Sequence, residues 1–146
     1  MKPKIYWDTS GLIRAYVMRQ QPKGFTRSHT VSEFFCVLSG PGLAVTESGK
    51  TVKKALSPTG AVKAAKETFS NLDFFDLTGP QTLEAVEASA KVRDITGKHI
   101  YDWMHCKAAE QCGAESIATV NQKDFSRMTK LKLEIPSENR PVHPGL

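Results

Sequence analysis

Short, bulky apolar runs alternate with helical stripes along almost the whole chain. Lys4-Ile5-Tyr6-Trp7 reads as a buried strand that stops at Asp8. Thr9 and Ser10 offer caps for a helix striped by Leu12, Ile13, Tyr16 and Val17. Gln20 to Phe25, with Pro22 and Gly24, reads as a loop, and Val31 to Leu38 as a helix capped by Thr30 or Ser32 and ended by Gly40-Pro41-Gly42. Residues 43 to 57 are either a hairpin turning at Ser48-Gly49 or a basic loop. Ser57-Pro58 opens a helix with Val62, Ala65, Phe69 and Leu72 on one face. Phe74 to Leu77 is a short strand, Gly79-Pro80 begins a helix running to about Thr96, and His99 to Cys112 is a helix stopped by Gly113. Ser116 to Val120 is a strand, Asn121 to Met128 a short helix or turn, and Leu131 to Ile135 a last strand.

Strands that alternate with helices argue for a parallel sheet covered on both faces, because each crossover lays a helix across the sheet. In such sheets ligands sit at the carboxyl ends of the strands. Asp8 follows one strand, and Asn121 and Asp124 follow another, so polar groups from distant sequence are expected at one edge.

With 146 residues, one domain is expected, spanning 1–136 and followed by an irregular tail, 137–146, marked by Pro141 and Pro144. No apolar run approaches a membrane span, and Met1 to Asp8 has no apolar leader core, so a cytoplasmic protein without membrane contact is expected. Three cysteines cannot all pair within one chain, which suits a reducing compartment, and Cys36, beside Phe35 and Val37, is expected to be inert core. Lys+Arg 20 against Asp+Glu 15 gives +5, a modest tilt towards an anionic partner.

Four acids stand out by their surroundings. Asp8 follows a buried run, Glu33 lies in an otherwise apolar helix, Asp102 sits in the first turn of a helix and Asp124 precedes the apolar Phe125. Singly, each has a structural role available: a helix cap, a capping-box partner of Thr30, a complement to the helix dipole, a surface turn. Together, carboxylates converging on one point would repel one another, and a divalent cation relieves that. All-oxygen ligation suits Mg²⁺ or Mn²⁺, the cations of phosphodiester hydrolysis.

The order of these residues resembles the PIN-domain family, and within it the VapC-type toxins of toxin–antitoxin pairs. The family's opening strand and Asp-Thr/Ser-Ser/Asn step is similar to Ile5-Tyr6-Trp7-Asp8-Thr9-Ser10-Gly11-Leu12-Ile13. Its second acid matches Ser32-Glu33-Phe34-Phe35, its third Ile100-Tyr101-Asp102 ahead of Lys107 to Ala114, and its last motif Thr119-Val120-Asn121-Gln122-Lys123-Asp124-Phe125. The resemblance covers residues 4 to about 136. It implies a three-layer α/β/α fold with a mainly parallel sheet of about five strands, and a Mg²⁺- or Mn²⁺-dependent endoribonuclease. By the same resemblance Asp8, Glu33, Asp102 and Asp124 are the catalytic and metal-binding acids, with Asn121 standing where some members carry the fourth. Ser10 is a supporting polar group. A neighbouring antitoxin and a homodimer are also implied.

Two stretches depart from the family's pattern. Trp103 replaces a small residue beside the third acid and is a candidate for stacking on a base or for core packing. Lys50, Lys53 and Lys54 lie in a long basic connection, either along an RNA backbone or on a solvated face. The rival function is a PIN-like module that binds RNA or a protein without cutting. A phosphatase with Asp8 as nucleophile would favour an acid where Ser10 stands. A zinc site from His99, His105, Cys106 and Cys112 lacks a tetrahedral spacing.

Overall fold

A computed structural model describes residues 4–136; the expected tail, 137–146, lies outside the described residues. The chain runs β1 (Ile5–Trp7), α1 (Thr9–Val17), β2 (Gly24–Thr26), α2 (His29–Ser39), β3 (Leu43–Glu47), β4 (Lys50–Lys54), α3 (Pro58–Phe69), β5 (Leu72–Phe74), α4 (Gly79–Ser89), α5 (His99–Gln111), β6 (Ser116–Ala118), α6 (Gln122–Phe125) and β7 (Lys132–Glu134). Five strands form one parallel sheet in the order β5-β2-β1-β6-β7.

The two-residue period of β1 divides the core. Tyr6 enters a cluster with Trp103, Met104 and Ile117, while Trp7 enters another with Leu12, Phe34, Ala61 and Phe69. Helices α1, α2 and α3 therefore cover one face, and α4 and α5 the other, giving the expected three layers. Tyr6 and Trp7 are both fully buried, so β1 is anchored from both sides and its carboxyl end is fixed in space.

The structure changes several sequence expectations. Gly24–Thr26 is a strand rather than a loop, because it pairs with β1 on one side and β5 on the other. The strand near Phe74 runs over Leu72–Phe74, earlier than expected. Helix α4 ends at Ser89, well short of Thr96; Asp94, at φ 66°, takes a left-handed turn, after which Ile95 re-enters the core. On α3 the buried face is Ala61, Ala64, Ala65, Thr68 and Phe69, and Val62 is exposed. Cys36 is exposed, not core.

Residues 43 to 54 form a separate antiparallel hairpin. Its two-residue turn has Ser48 at φ 49° and Gly49 at φ 78°. Positive φ at both central positions is the turn that matches strand twist, and glycine takes it without penalty.

Candidate active site

Asp8 is the N-cap of α1, so the structural role open to it is filled: its Oδ1 accepts from the Gly11 backbone N–H at 2.7 Å. Thr119 Oγ1 donates to Oδ2 at 2.7 Å, and the Ser10 hydroxyl lies 2.9 and 3.0 Å from the two oxygens. Three protein protons thus serve a carboxylate with about four acceptor positions, and capacity for a cation remains. Position 11 has no room for a side chain: a Cβ there would lie 2.2 Å from the Ala118 carbonyl oxygen. Glycine lets α1 start against the end of β6 and brings Thr119 onto Asp8. Burial pushes the Asp8 carboxyl above the usual range, against the lowering pull of His105 and of its hydrogen bonds.

Glu33 stands in the first half of α2, where Thr9 Oγ1 donates to its Oε1 at 3.1 Å. The His105 Nε2 lies 3.0 Å from the same oxygen. Among the described residues no donor reaches Oε2, which leaves that oxygen for a cation. Burial raises the Glu33 pKa, but His105 and Thr9 outweigh it, and the net direction is down. Thr30 makes no capping box with Glu33; it accepts from Thr26 Oγ1 at 2.9 Å, and α2 begins after Ser28 without a side-chain cap.

His105 is 2% exposed, and its Nδ1 lies 2.8 Å from the Tyr6 hydroxyl. An ionised carboxylate only accepts, so Nε2 carries a proton; in the neutral ring Nδ1 is then bare, and the Tyr6 hydroxyl donates to it. Burial, the largest cause, holds Tyr6 protonated far above the usual range. Tyr6–His105–Glu33 is a buried chain from the middle of β1 to the second acid. The sequence reading weighed His105 only as a zinc ligand. The signal it passed over is a histidine one turn after Asp102 on a helix that packs against a buried tyrosine.

Asp102 lies in the first turn of α5 and Asp124 in α6. Ligand atoms of His99, Asp102 and Asp124 all lie within 4.8 Å of one another. His99 and Asp102, three residues apart on one helix, share a face. Asp8 and Glu33 are not members of that set. Asp8 connects to it through hydrogen bonds: Thr119 Oγ1, which donates to Asp8, accepts from the Asn121 backbone N–H at 3.0 Å, and the Asn121 side chain donates to Asp102 Oδ2 at 3.2 Å, while Glu33 acts on Asp102 through its charge. Asn121 is thus a bridge between the acids. Asp102 is raised by burial first and by the negative charge of Asp8 next, with Asp124 and Glu33 adding. Asp124 is lowered, chiefly by its hydrogen bond from Asn121, and Arg127 Nη2 donates to it at 3.0 Å.

Trp103 is not at the site. It is 4% exposed, its indole N–H donates to the Ala85 carbonyl at 2.7 Å and Lys107 lies 4.2 Å over its ring, so no face is open to a base. Lys50, Lys53 and Lys54 are exposed on the hairpin, beyond the C-terminal end of α2, and Lys54 pairs with Glu47.

The three layers and the parallel sheet define a PIN-like α/β/α fold, the class expected from the sequence. In particular, the chain is similar in structure to Mycobacterium tuberculosis VapC20, a sarcin–ricin loop cleaving toxin, at TM-score 0.56 and 14% identity over 84% of this chain and 94% of that one. It is also similar to VapBC-1 from nontypeable Haemophilus influenzae, at TM-score 0.58 and 13% identity over 90% of this chain and 96% of that one. No family model and no curated protein matches the sequence. Among the described residues no helix is long and apolar enough to cross a membrane.

Proposed function

We propose that this protein is a divalent-metal-dependent endoribonuclease, the cytoplasmic toxin of a toxin–antitoxin pair. The observation that carries the reading is the gathering of His99, Asp102 and Asp124 beside Asp8 and Glu33 at the carboxyl edge of the parallel sheet. The residues fit a cation. Among the described residues no donor reaches Glu33 Oε2, and the negative charges of Asp8, Asp124 and Glu33 all raise Asp102. When bound, Mg²⁺ or Mn²⁺ supplies an activated water and charge neutralisation at the phosphate. The chain's own residues do the rest. Asp8, Glu33, Asp102 and Asp124 hold the cation, Asn121 and Ser10 orient Asp102 and Asp8, and no protein nucleophile is required. His99, whose ligand atom lies within 4.8 Å of those of Asp102 and Asp124, would add one imidazole to these acids and tilt the choice to Mn²⁺, which takes nitrogen more readily than Mg²⁺ does.

Lys50 and Lys53 contribute phosphate contacts on the hairpin. The likeness to VapBC-1 supports an antitoxin partner, and a homodimer belongs to the same reading. Trp103, the candidate for stacking on a base, is enclosed in the core.

The test is cleavage of RNA by the purified protein with Mn²⁺ or Mg²⁺, against EDTA and Asp8→Asn. Cutting that needs both the metal and Asp8 is expected. Cutting that survives EDTA, or no cutting and no calorimetric metal binding, overturns the reading.

A further inference from the structure

His29 is the first residue of α2 and Tyr101 the third of α5, and their rings stack at 5.8 Å between centroids with 23° between planes. Neither ring belongs to either core cluster: His29 is exposed and Tyr101 is 50% exposed. Their positions tie them to the acids. Glu33 lies one turn after His29 on the same helix face, and Asp102 directly follows Tyr101. The pair therefore bridges the starts of two helices that each carry an acid of the proposed metal site within the following turn.

We infer that the His29–Tyr101 pair is a stacking platform for an unpaired nucleobase of the RNA beside the cleaved phosphodiester. The inference rests on the ribonuclease reading and adds where a base is held. Two physical arguments support it. Without its cation an acidic site repels the phosphate backbone, so contacts that carry no charge are needed to hold RNA near the cut; a base presents a π-face whatever its sequence. Tyr101 is also half-exposed although stacked on His29, so a large apolar residue is left partly in water at the start of α5. Trp103 has no free face, and Tyr101 presents the kind of surface that was sought in it.

The experiment measures binding of fluorescein-labelled single-stranded RNA by anisotropy in EDTA, so that nothing is cut. Wild type is compared with Tyr101→Leu, Tyr101→Phe and Tyr101→Trp. A second RNA series carries one abasic nucleotide moved along the strand. Circular dichroism checks the fold, which a half-exposed position tolerates. Tyr101→Leu is expected to weaken binding on the order of 10-fold, while the aromatic variants retain it. At one abasic position wild type should weaken to the level of Tyr101→Leu and the two proteins become equal. Equal affinities of wild type and Tyr101→Leu for every RNA overturn the inference, as does a loss that is the same for all abasic positions. Wild type that cuts RNA with Mn²⁺ while Tyr101→Leu binds normally removes the platform alone. Wild type that neither binds nor cuts RNA overturns the ribonuclease reading and the platform with it.

Discussion

Glu33 and Asp102 are both half-buried acids near the starts of helices, yet their environments pull them in opposite directions. Glu33 receives two donors on one oxygen, from His105 and Thr9, and these outweigh its burial. Asp102 receives one amide from Asn121 and faces Asp8, Asp124 and Glu33, so burial and like charges raise it. The protein supplies Glu33 with the partners its charge needs. It leaves Asp102 short of them. An acid kept short of partners inside a folded domain costs stability unless a cation completes it, and under the proposed function the Asp102 side is the one that a metal would complete.

The largest effect that can break this contrast is on activity and stability together. Asp102→Asn should lower metal-dependent cleavage on the order of 10³-fold, several kcal/mol of transition-state stabilisation. The same change should raise the melting temperature of the metal-free protein at pH 7, because it removes a crowded charge. Glu33→Gln should also impair cleavage but lower that melting temperature, since His105 and Thr9 lose an ionised acceptor. Two melting shifts of the same sign in EDTA would end the distinction between the sides.

The pH dependence of the metal-free fold follows from the same contrast. Asp102 has a raised pKa in the folded state, so the folded protein holds protons that the unfolded chain has released. Its stabilising share is present below the unfolded value, near 3.8, and is lost as pH rises through the raised one. Glu33 is lowered: its share is present above the unfolded value, near 4.5, and is lost as pH falls through the lower one. Thermal unfolding in EDTA should therefore show stability falling from mildly acidic towards neutral pH, and Asp102→Asn should flatten that fall. Saturating Mn²⁺ should flatten it as well.

A smaller effect probes the Tyr6–His105–Glu33 chain. His105→Leu should weaken Mn²⁺ binding about 10- to 100-fold, the usual cost of losing the group that orients a ligand. His105→Gln should recover part of it, because an amide can donate to Glu33 and accept from Tyr6. Tyr6→Phe should cost less than His105→Leu, since only the outer hydrogen bond is lost. Calorimetric titration with Mn²⁺ orders the three. Equal losses for Leu and Gln would mean that His105 acts by packing alone.

What the sequence disclosed follows from how local each cause is. The β1 run and Asp8 and the helix opened by Ser57-Pro58 depend on a few adjacent residues and were readable, and the turn at Ser48-Gly49 was one of two readings left open, which the pairing of β3 with β4 decides. Strand β2 was not, because its three residues hold strand geometry only through pairing with β1 and β5. The end of α4 was missed because no proline or glycine marks Ser89; the break is set where Ile95 turns back into the core. At the site, the order of the acids was legible, but their donors were not. His99 sits at helical spacing from Asp102, and that signal was present. It was set beside the cysteines as a zinc candidate and left unpaired with Asp102. The spacing of His105 from Asp102 was present as well, but its partners were beyond reach, since they come from β1 and α2, 99 and 72 residues away.

The smallest expected effect concerns a region that belongs to neither acid. The hairpin β3–β4 lies outside the main sheet, and its lysines are exposed. If both sides of the acidic site carry the chemistry and the hairpin only guides RNA, the triple change Lys50→Ala, Lys53→Ala, Lys54→Ala should leave the melting temperature and Mn²⁺ affinity unchanged. It should reduce the salt dependence of RNA binding. Each phosphate contact to a single strand contributes roughly 0.7 to the slope of log K against log salt. Lys54 is already paired with Glu47, so two contacts, a drop of about 1.4, is the upper expectation. Anisotropy in EDTA across a salt series reads the slope directly. An unchanged slope would return these lysines to the role of a solvated face, and the acidic edge would have to hold RNA without them.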